Sequence, residues 1–165
     1  MPETPGFPAP GQLLFTYGTL MLTTGIPAVD DAMHKAGVSL GRAYVHGFLY
    51  DLGEYPGAVV ARVPADGAAA LEEDAPKVWG HLLRLDDPAA LFAVIDSYEG
   101  YNAADLRASE FVRAETTVCL AASGARMTGQ IYWYNFDVKG REAIGSGDYL
   151  AHWSAQGKPA QRRLP

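Results

Sequence analysis

Side chains alternate with a period of two along several segments, and this feature most constrains the fold. Successive side chains of a β-strand point to opposite faces, so the pattern predicts strands that place one face on a core. The clearest case is RAYVHGFLYDLG (residues 42–53), where aromatic rings and a histidine share one face. Further strands are predicted in GAVVARV, KVWGHLLRL, FVRAETTVCLA and MTGQIYWYNF, and the continuous apolar run in LLFT indicates another strand. Together they predict about six strands, and Gly124 predicts a hairpin turn between the last two.

Helical signals are fewer than strand signals. In DDPAALFAVIDSYEG (residues 86–100), Asp86 or Asp87 can cap a helix and Pro88 suits its first position. Gly100 is a natural C-terminal stop. Shorter helices are predicted through DDAMHKAG and after the serine of SGDYLAHW. The pattern predicts an α+β fold, a small mixed β-barrel-like sheet of about six strands with a few flanking helices.

Composition narrows the classes of partner. The net charge of −6 disfavours nucleic acid as the main partner. No apolar run approaches the roughly 18 residues of a membrane span, and the single cysteine, Cys119, forms no intrachain disulfide, so a cytoplasmic location is expected. His34, His46, His81 and His152 make no short-spaced ligand pair, so no metal site is expected. The sequence carries no signal of the oligomeric state.

The ends of the chain differ from its middle in composition. The proline-rich start, MPETPGFPAPG, predicts a disordered leader over residues 1–11, without the features of a signal peptide. The basic end, GKPAQRRLP, predicts a disordered tail over residues 156–165. Residues 12–155 then form a single domain. Within it, PADGAAALEEDAPK is the most linker-like stretch and predicts a surface loop or a poor helix.

The stretch LLFTYGTLM ends a predicted strand at Tyr17, Gly18 and Thr19. One interpretation is a plain turn in which Tyr17 is buried. The other is a ligand loop, because glycine permits unusual backbone conformations and consecutive N–H groups can converge on an anion. On this motif alone the turn is favoured, since four-residue motifs often occur by chance.

Glu99 lies at the predicted C-terminus of the helix that ends in IDSYEG. An acid is unfavourable there because that helix end carries partial negative charge. The position and any burial are expected to raise the pKa of Glu99, as a general base requires. The alternative is a solvated surface acid beside a glycine cap. Asp96, three residues earlier, is expected to hydrogen-bond a neighbouring loop.

Three weaker candidates lie in predicted strands. Arg113 is either solvated or the partner of a buried acid, and its neighbours Glu110 and Glu115 favour the solvated state. Tyr132 and Tyr134 share a strand face, which indicates an aromatic wall beside a ligand or ordinary sheet packing.

Seven short motifs occur in an order that resembles the γ-glutamylcyclotransferase-like family, including its AIG2-like and γ-glutamylamine cyclotransferase branches. They are FTYGTL, GFLYDLGEYPGAV, VWGHLLRLD, IDSYEGY, EFVRAETTV, IYWYNF and IGSGDY. The resemblance covers residues 14–152. It implies a small mixed barrel with flanking helices, and a reaction that cyclises a small γ-glutamyl compound to 5-oxoproline and releases an amine.

The resemblance also implies functional residues. The acidic catalytic residue of the family matches Glu99. Its substrate loop matches Tyr17, Gly18, Thr19 and Leu20, and the aromatic wall adds Tyr132 as a candidate substrate contact. No cofactor is implied. Two positions depart from the pattern: His81 stands where many members carry Glu, and Phe111 where many carry Tyr. An alternative function stays open, a non-catalytic small-molecule binding or regulatory domain of the same fold.

Overall fold

Five strands close into a barrel in the computed structural model, which describes residues 10–21, 24–61 and 75–155. The strands are β1 (Leu13–Thr16), β2 (Gly37–Asp51), β3 (Pro56–Val60), β4 (Lys77–Leu85), β5 (Phe111–Leu120), β6 (Arg126–Tyr134) and β7 (Glu142–Ala143). The barrel runs β2-β4-β1-β6-β5 and closes where β5 pairs with β2. β1 lies parallel to β6, and the other pairs are antiparallel. β3 and β7 add to β2, so the predicted mixed barrel is confirmed, with one strand more than the expected number.

Three helices flank the barrel in the described residues: α1 (Pro27–His34), α2 (Pro88–Tyr98) and α3 (Tyr149–Ala155). α2 begins and ends as predicted, since the Asp87 carboxylate accepts the Ala90 N–H at 3.2 Å and Gly100 follows with φ of 69°. α1 begins earlier than expected because Pro27 occupies its first turn. Short 3₁₀ helices, Pro10–Gln12 and Thr19–Met21, precede and follow β1.

The alternation predicted for β2 is present in its burial. Ala43, Val45 and Leu49 are buried in the barrel, whereas Phe48 on the opposite face is exposed. β1 differs, because all four of its residues are buried. Leu13 packs in the barrel interior, whereas the next residue, Leu14, packs in a second core with α1 and α2. A strand buried on both faces has a continuous apolar sequence, which explains the run LLF.

Several predicted regions fall outside the described residues. They are the leader up to residue 9, the tail over residues 156–165, and residues 62–74, which hold most of the linker-like stretch. In the described part of the chain, no helix has the length and apolarity of a membrane span. The hairpin predicted at Gly124 is confirmed, with a φ of 73° at that glycine.

Tyr149, on α3, gives the fold a dependence on alkaline pH. Burial, with smaller effects of Asp51 and Tyr98, raises its pKa from 10.0 to about 12. Its stabilising effect is therefore fully present below pH 10 and is lost as the pH rises towards 12. We expect the free energy of unfolding from urea titrations to fall across this interval, and to fall less in Tyr149→Phe. Equal losses in both proteins would contradict this origin.

Candidate active site

Glu99 is buried at the end of α2. It is the C-terminal capping residue, with φ of −80° and ψ of −4°, and its N–H donates to the Ile95 carbonyl at 2.8 Å. The residue is 7% exposed, so it is not the solvated surface acid of the alternative interpretation. A buried carboxyl group at the negative end of a helix has a poor environment for its charged form. Such a group is suited to exchange a proton with a ligand.

A cavity of about 370 Å³, counted with its open mouth, lies beside Glu99. Its lining comes from the end of β1 and the following loop, the start of β3, the end of α2, and strands β5 and β6. The lining residues are Phe15, Thr16, Tyr17, Gly18, Leu20, Tyr55, Pro56, Glu99, Phe111 and Tyr132. Among these described residues, Glu99 alone has a carboxyl group, and the rest of the lining is mainly aromatic or apolar.

The structure therefore brings five of the six candidate site residues to one cavity: Tyr17, Gly18, Leu20, Glu99 and Tyr132. The sixth, Thr19, begins the 3₁₀ helix Thr19–Met21, and its side chain is not among those described. The loop and Glu99 line the same cavity although about 80 residues separate them in sequence.

Gly18 is required here for a different reason from the one expected. Its φ lies outside the left-handed region, so no special backbone conformation demands glycine. Instead, a Cβ atom at this position would lie 2.6 Å from Cγ of Pro56 and 3.0 Å from its Cδ. The expectation of an unusual conformation was wrong. The absence of a side chain allows the loop to pack against the start of β3, where both residues line the cavity.

Two tyrosines tie the cavity walls together. The Tyr17 hydroxyl donates to the Tyr132 carbonyl at 2.7 Å and accepts the Ala58 N–H at 3.2 Å. Burial raises the pKa of Tyr17 far above its usual value, and the charge of Glu99 raises it further. Burial is also the main cause of the raised pKa of Tyr132, followed by its hydrogen bond to Asp96. Both phenols therefore stay protonated at neutral pH, and Glu99 supplies the one carboxyl group among the described lining side chains.

Asp96 and Arg113 depart from the expectations for them. Nε and Nη2 of Arg113 donate to the two carboxylate oxygens of Asp96 at 2.9 and 3.1 Å. Both side chains are about three-quarters buried. The solvated state favoured for Arg113 was wrong, and the Asp96 carboxylate contacts β5 and β6 rather than a neighbouring loop. The partner of each residue is distant in sequence, so local patterns could not identify the pair.

Some lining residues were not predicted. Tyr55 and Pro56 lie in GFLYDLGEYPGAV, one of the seven motifs that carry the family resemblance. This motif was the sequence signal that could have identified them as lining residues. The Tyr55 hydroxyl donates to a carboxylate oxygen of Glu110. Phe111, noted only as a departure from the family pattern, lines the cavity. The other departure, His81, is exposed on β4, and its Nδ1 lies 3.3 Å from the Met21 sulfur, so it is not part of the lining.

A cluster of potential metal ligands lies elsewhere, at the contact between β2, β7 and α3. Ligand atoms of Asp51, Glu142 and His152 lie within 4.8 Å of one another. Sequence spacing could not reveal this cluster, because it joins three distant segments. His152 Nε2 lies 2.9 Å from an Asp51 oxygen, which makes this contact a link between α3 and the barrel.

Comparisons with known proteins agree with the architecture. The fold is similar to that of the uncharacterized protein PH0828 from Pyrococcus horikoshii (TM-score 0.52, 16% identity, 88% of this chain and 95% of that chain). It is also similar to At3g28950.1 from Arabidopsis thaliana (TM-score 0.52, 18% identity, 88% of this chain and 74% of that chain). At these identities the likeness shows the fold alone.

Sequence comparison adds the family. A search among curated proteins finds no significant match to the chain. The model of the family described as gamma-glutamyl cyclotransferase, AIG2-like, matches residues 14–151, which is most of the chain. The protein therefore belongs to the AIG2-like gamma-glutamyl cyclotransferase family.

Proposed function

We propose that this protein cyclises a small γ-glutamyl amine or γ-glutamyl peptide to 5-oxoproline and releases a free amine, with Glu99 as the general acid and base. The observation that carries the proposal is the burial of the Glu99 carboxyl group in a cavity that the loop of Tyr17, Gly18 and Leu20 also lines. Family membership supports cyclotransferase chemistry in general.

The substrate supplies its own nucleophile in this reaction. The α-amine nitrogen attacks the γ-carbonyl carbon, a new C–N bond closes the five-membered ring, and the original amide C–N bond breaks. Folding the glutamyl chain so that amine and carbonyl meet is catalysis by orientation, which a narrow and mainly apolar cavity favours. No serine or cysteine nucleophile and no cofactor is needed for these bond changes.

Glu99 would move the proton that the reaction must transfer. The α-ammonium loses this proton to the Glu99 carboxylate before attack, and the leaving amine receives it as the amide bond breaks. The ring nitrogen loses a second proton once the new C–N bond has formed, and that proton ends on the released amine, which is an ammonium at neutral pH. Negative charge develops on the amide oxygen in between. Backbone N–H groups of the Tyr17 to Leu20 loop would stabilise that oxygen or hold the α-carboxylate of the substrate.

The test is a search for 5-oxoproline. Wild-type protein is incubated with a panel of γ-glutamyl amines and γ-glutamyl dipeptides, and 5-oxoproline is measured by chromatography and mass spectrometry. We expect turnover of at least one γ-linked compound and none of the α-linked isomers, which do not present the γ-amide to the α-amine. Binding of γ-linked compounds in calorimetry without any turnover would instead support the non-catalytic binding domain.

A further inference from the structure

A chain of polar contacts leads from β5 through α2 to the cavity. Arg113 on β5 pairs with Asp96 on α2 through two hydrogen bonds. Asp96 Oδ1 also accepts the Tyr132 hydroxyl at 2.7 Å, and the Tyr132 carbonyl accepts the Tyr17 hydroxyl at 2.7 Å. The last two residues line the cavity with Glu99. The ion pair is therefore connected to the cavity wall without lining the cavity itself.

The guanidinium group of Arg113 is held on more than one side. Its central carbon lies 4.1 Å from the centre of the Phe92 ring and 5.5 Å from that of the Tyr101 ring. A planar guanidinium can stack on rings and bind both carboxylate oxygens at once, whereas a lysine ammonium cannot reproduce this geometry. The Asp96 carboxylate is consequently fixed in the orientation that receives the Tyr132 hydroxyl.

Asp96 and Glu99 are three positions apart at the end of α2, so their side chains are neighbours on one side of the helix. Without a cation, the Asp96 charge would oppose ionisation of Glu99. The titratable groups that share the cavity with Glu99 are Tyr17, Tyr55 and Tyr132. The charged groups bonded to these phenols are Asp96, itself paired with Arg113, and Glu110.

We propose that Asp96 and Arg113 are positioning residues for the reaction: their ion pair holds the Tyr132 hydroxyl, and so fixes the cavity wall and the charge balance beside Glu99. This inference rests on the proposed function of Glu99. It assigns a role to two residues that contact neither the cavity nor the reacting atoms.

The first experiment follows the Glu99 carboxyl group directly by ¹³C NMR titration, with its resonance assigned by loss in Glu99→Gln. In Arg113→Gln the unbalanced Asp96 charge is expected to raise the titration midpoint of Glu99 by about half a pH unit or more. In Asp96→Asn the unbalanced Arg113 charge is expected to lower it. Shifts of the Glu99 midpoint in opposite directions support the proposal. Unmoved midpoints or shifts in the same direction overturn it, because a purely structural role would not make the direction of the shift depend on which charge is removed.

Steady-state kinetics then separate the positioning effect of Arg113 from the effect of its charge. Arg113→Lys keeps the charge but loses the two-point contact, so its Glu99 midpoint should stay near the wild-type value while kcat falls about tenfold or more with a smaller change in KM. Tyr132→Phe should lower kcat similarly, since it removes only the hydroxyl that Asp96 holds. Wild-type kcat in both variants overturns the positioning role. If wild-type protein forms no 5-oxoproline, that result counts against the proposed function. The NMR titration midpoints of Glu99 would still show whether the Asp96 and Arg113 charges act on this carboxyl group.

Discussion

Glu99→Gln is expected to lower kcat for 5-oxoproline formation by at least about 100-fold, which is the low end for loss of a general base. Glutamine preserves the shape of the buried side chain but cannot accept the proton of the α-ammonium. The cavity and its tyrosine contacts should remain, so substrate binding measured by calorimetry should change little. This combination of lost turnover with retained binding is what distinguishes a catalytic group from a structural one.

Glu115→Gln is a matched control, because it makes the same chemical change at an exposed position on β5. It should leave both kcat and the melting temperature unchanged. Turnover that survives in a folded Glu99→Gln protein would end the assignment of Glu99 as acid and base. The NMR titration of Glu99 also tests the raised pKa that the sequence predicts from its place at the end of α2.

Local patterns were sufficient for the elements that carry the site. The alternation of β2 and the limits of α2 depend on neighbours within a few residues, and both were predictable. Glu99 could be placed at a helix end for the same reason. Its burial could not be derived locally, since that depends on the loop after β1 and on β6 packing against the end of α2.

Contacts between distant segments set the limit of prediction. Arg113 has acidic neighbours on its own strand, yet its partner, Asp96, is 17 residues away on a helix. The contact of Tyr17 with the Tyr132 carbonyl spans 115 residues. Neither pair has a local sequence signal. The order of motifs could indicate the family, but only the folded barrel brings the two partners of each pair into contact.

Gly18 is a single residue for which the local sequence predicted the wrong constraint. A glycine at a strand end is locally consistent with a left-handed turn, but the backbone there is ordinary and the constraint comes from Pro56, 38 residues later in the chain. The distinction has a measurable consequence. If Gly18 were needed for its backbone conformation, no substitution at another residue could replace it. Because the need is steric, removing the Pro56 atoms that clash can relieve it.

Gly18→Val is expected to reduce kcat/KM by about 100-fold or more and to abolish measurable binding of γ-glutamyl compounds. Its Cβ would lie 2.6 Å from Pro56 Cγ, so the loop or the start of β3 must move. Either movement misplaces the backbone N–H groups to which the proposed function assigns substrate binding, and a displacement of about 1 Å can cost about 100-fold in rate. Gly18→Ala should show a smaller loss in the same direction. Steady-state kinetics and calorimetry measure both effects.

Gly145→Val is the matched control, because a Cβ atom there meets nothing within 4 Å and the backbone is again ordinary. It should retain wild-type kcat/KM. The decisive variant combines Gly18→Ala with Pro56→Ala, which removes the Cγ and Cδ atoms that the new methyl group meets. Because the two positions are in contact, their effects should be non-additive, and the double variant should recover part of the activity lost in Gly18→Ala. Additive losses would mean that Pro56 is not the constraint on Gly18, and wild-type affinity in a folded Gly18→Val protein would remove the loop from the site.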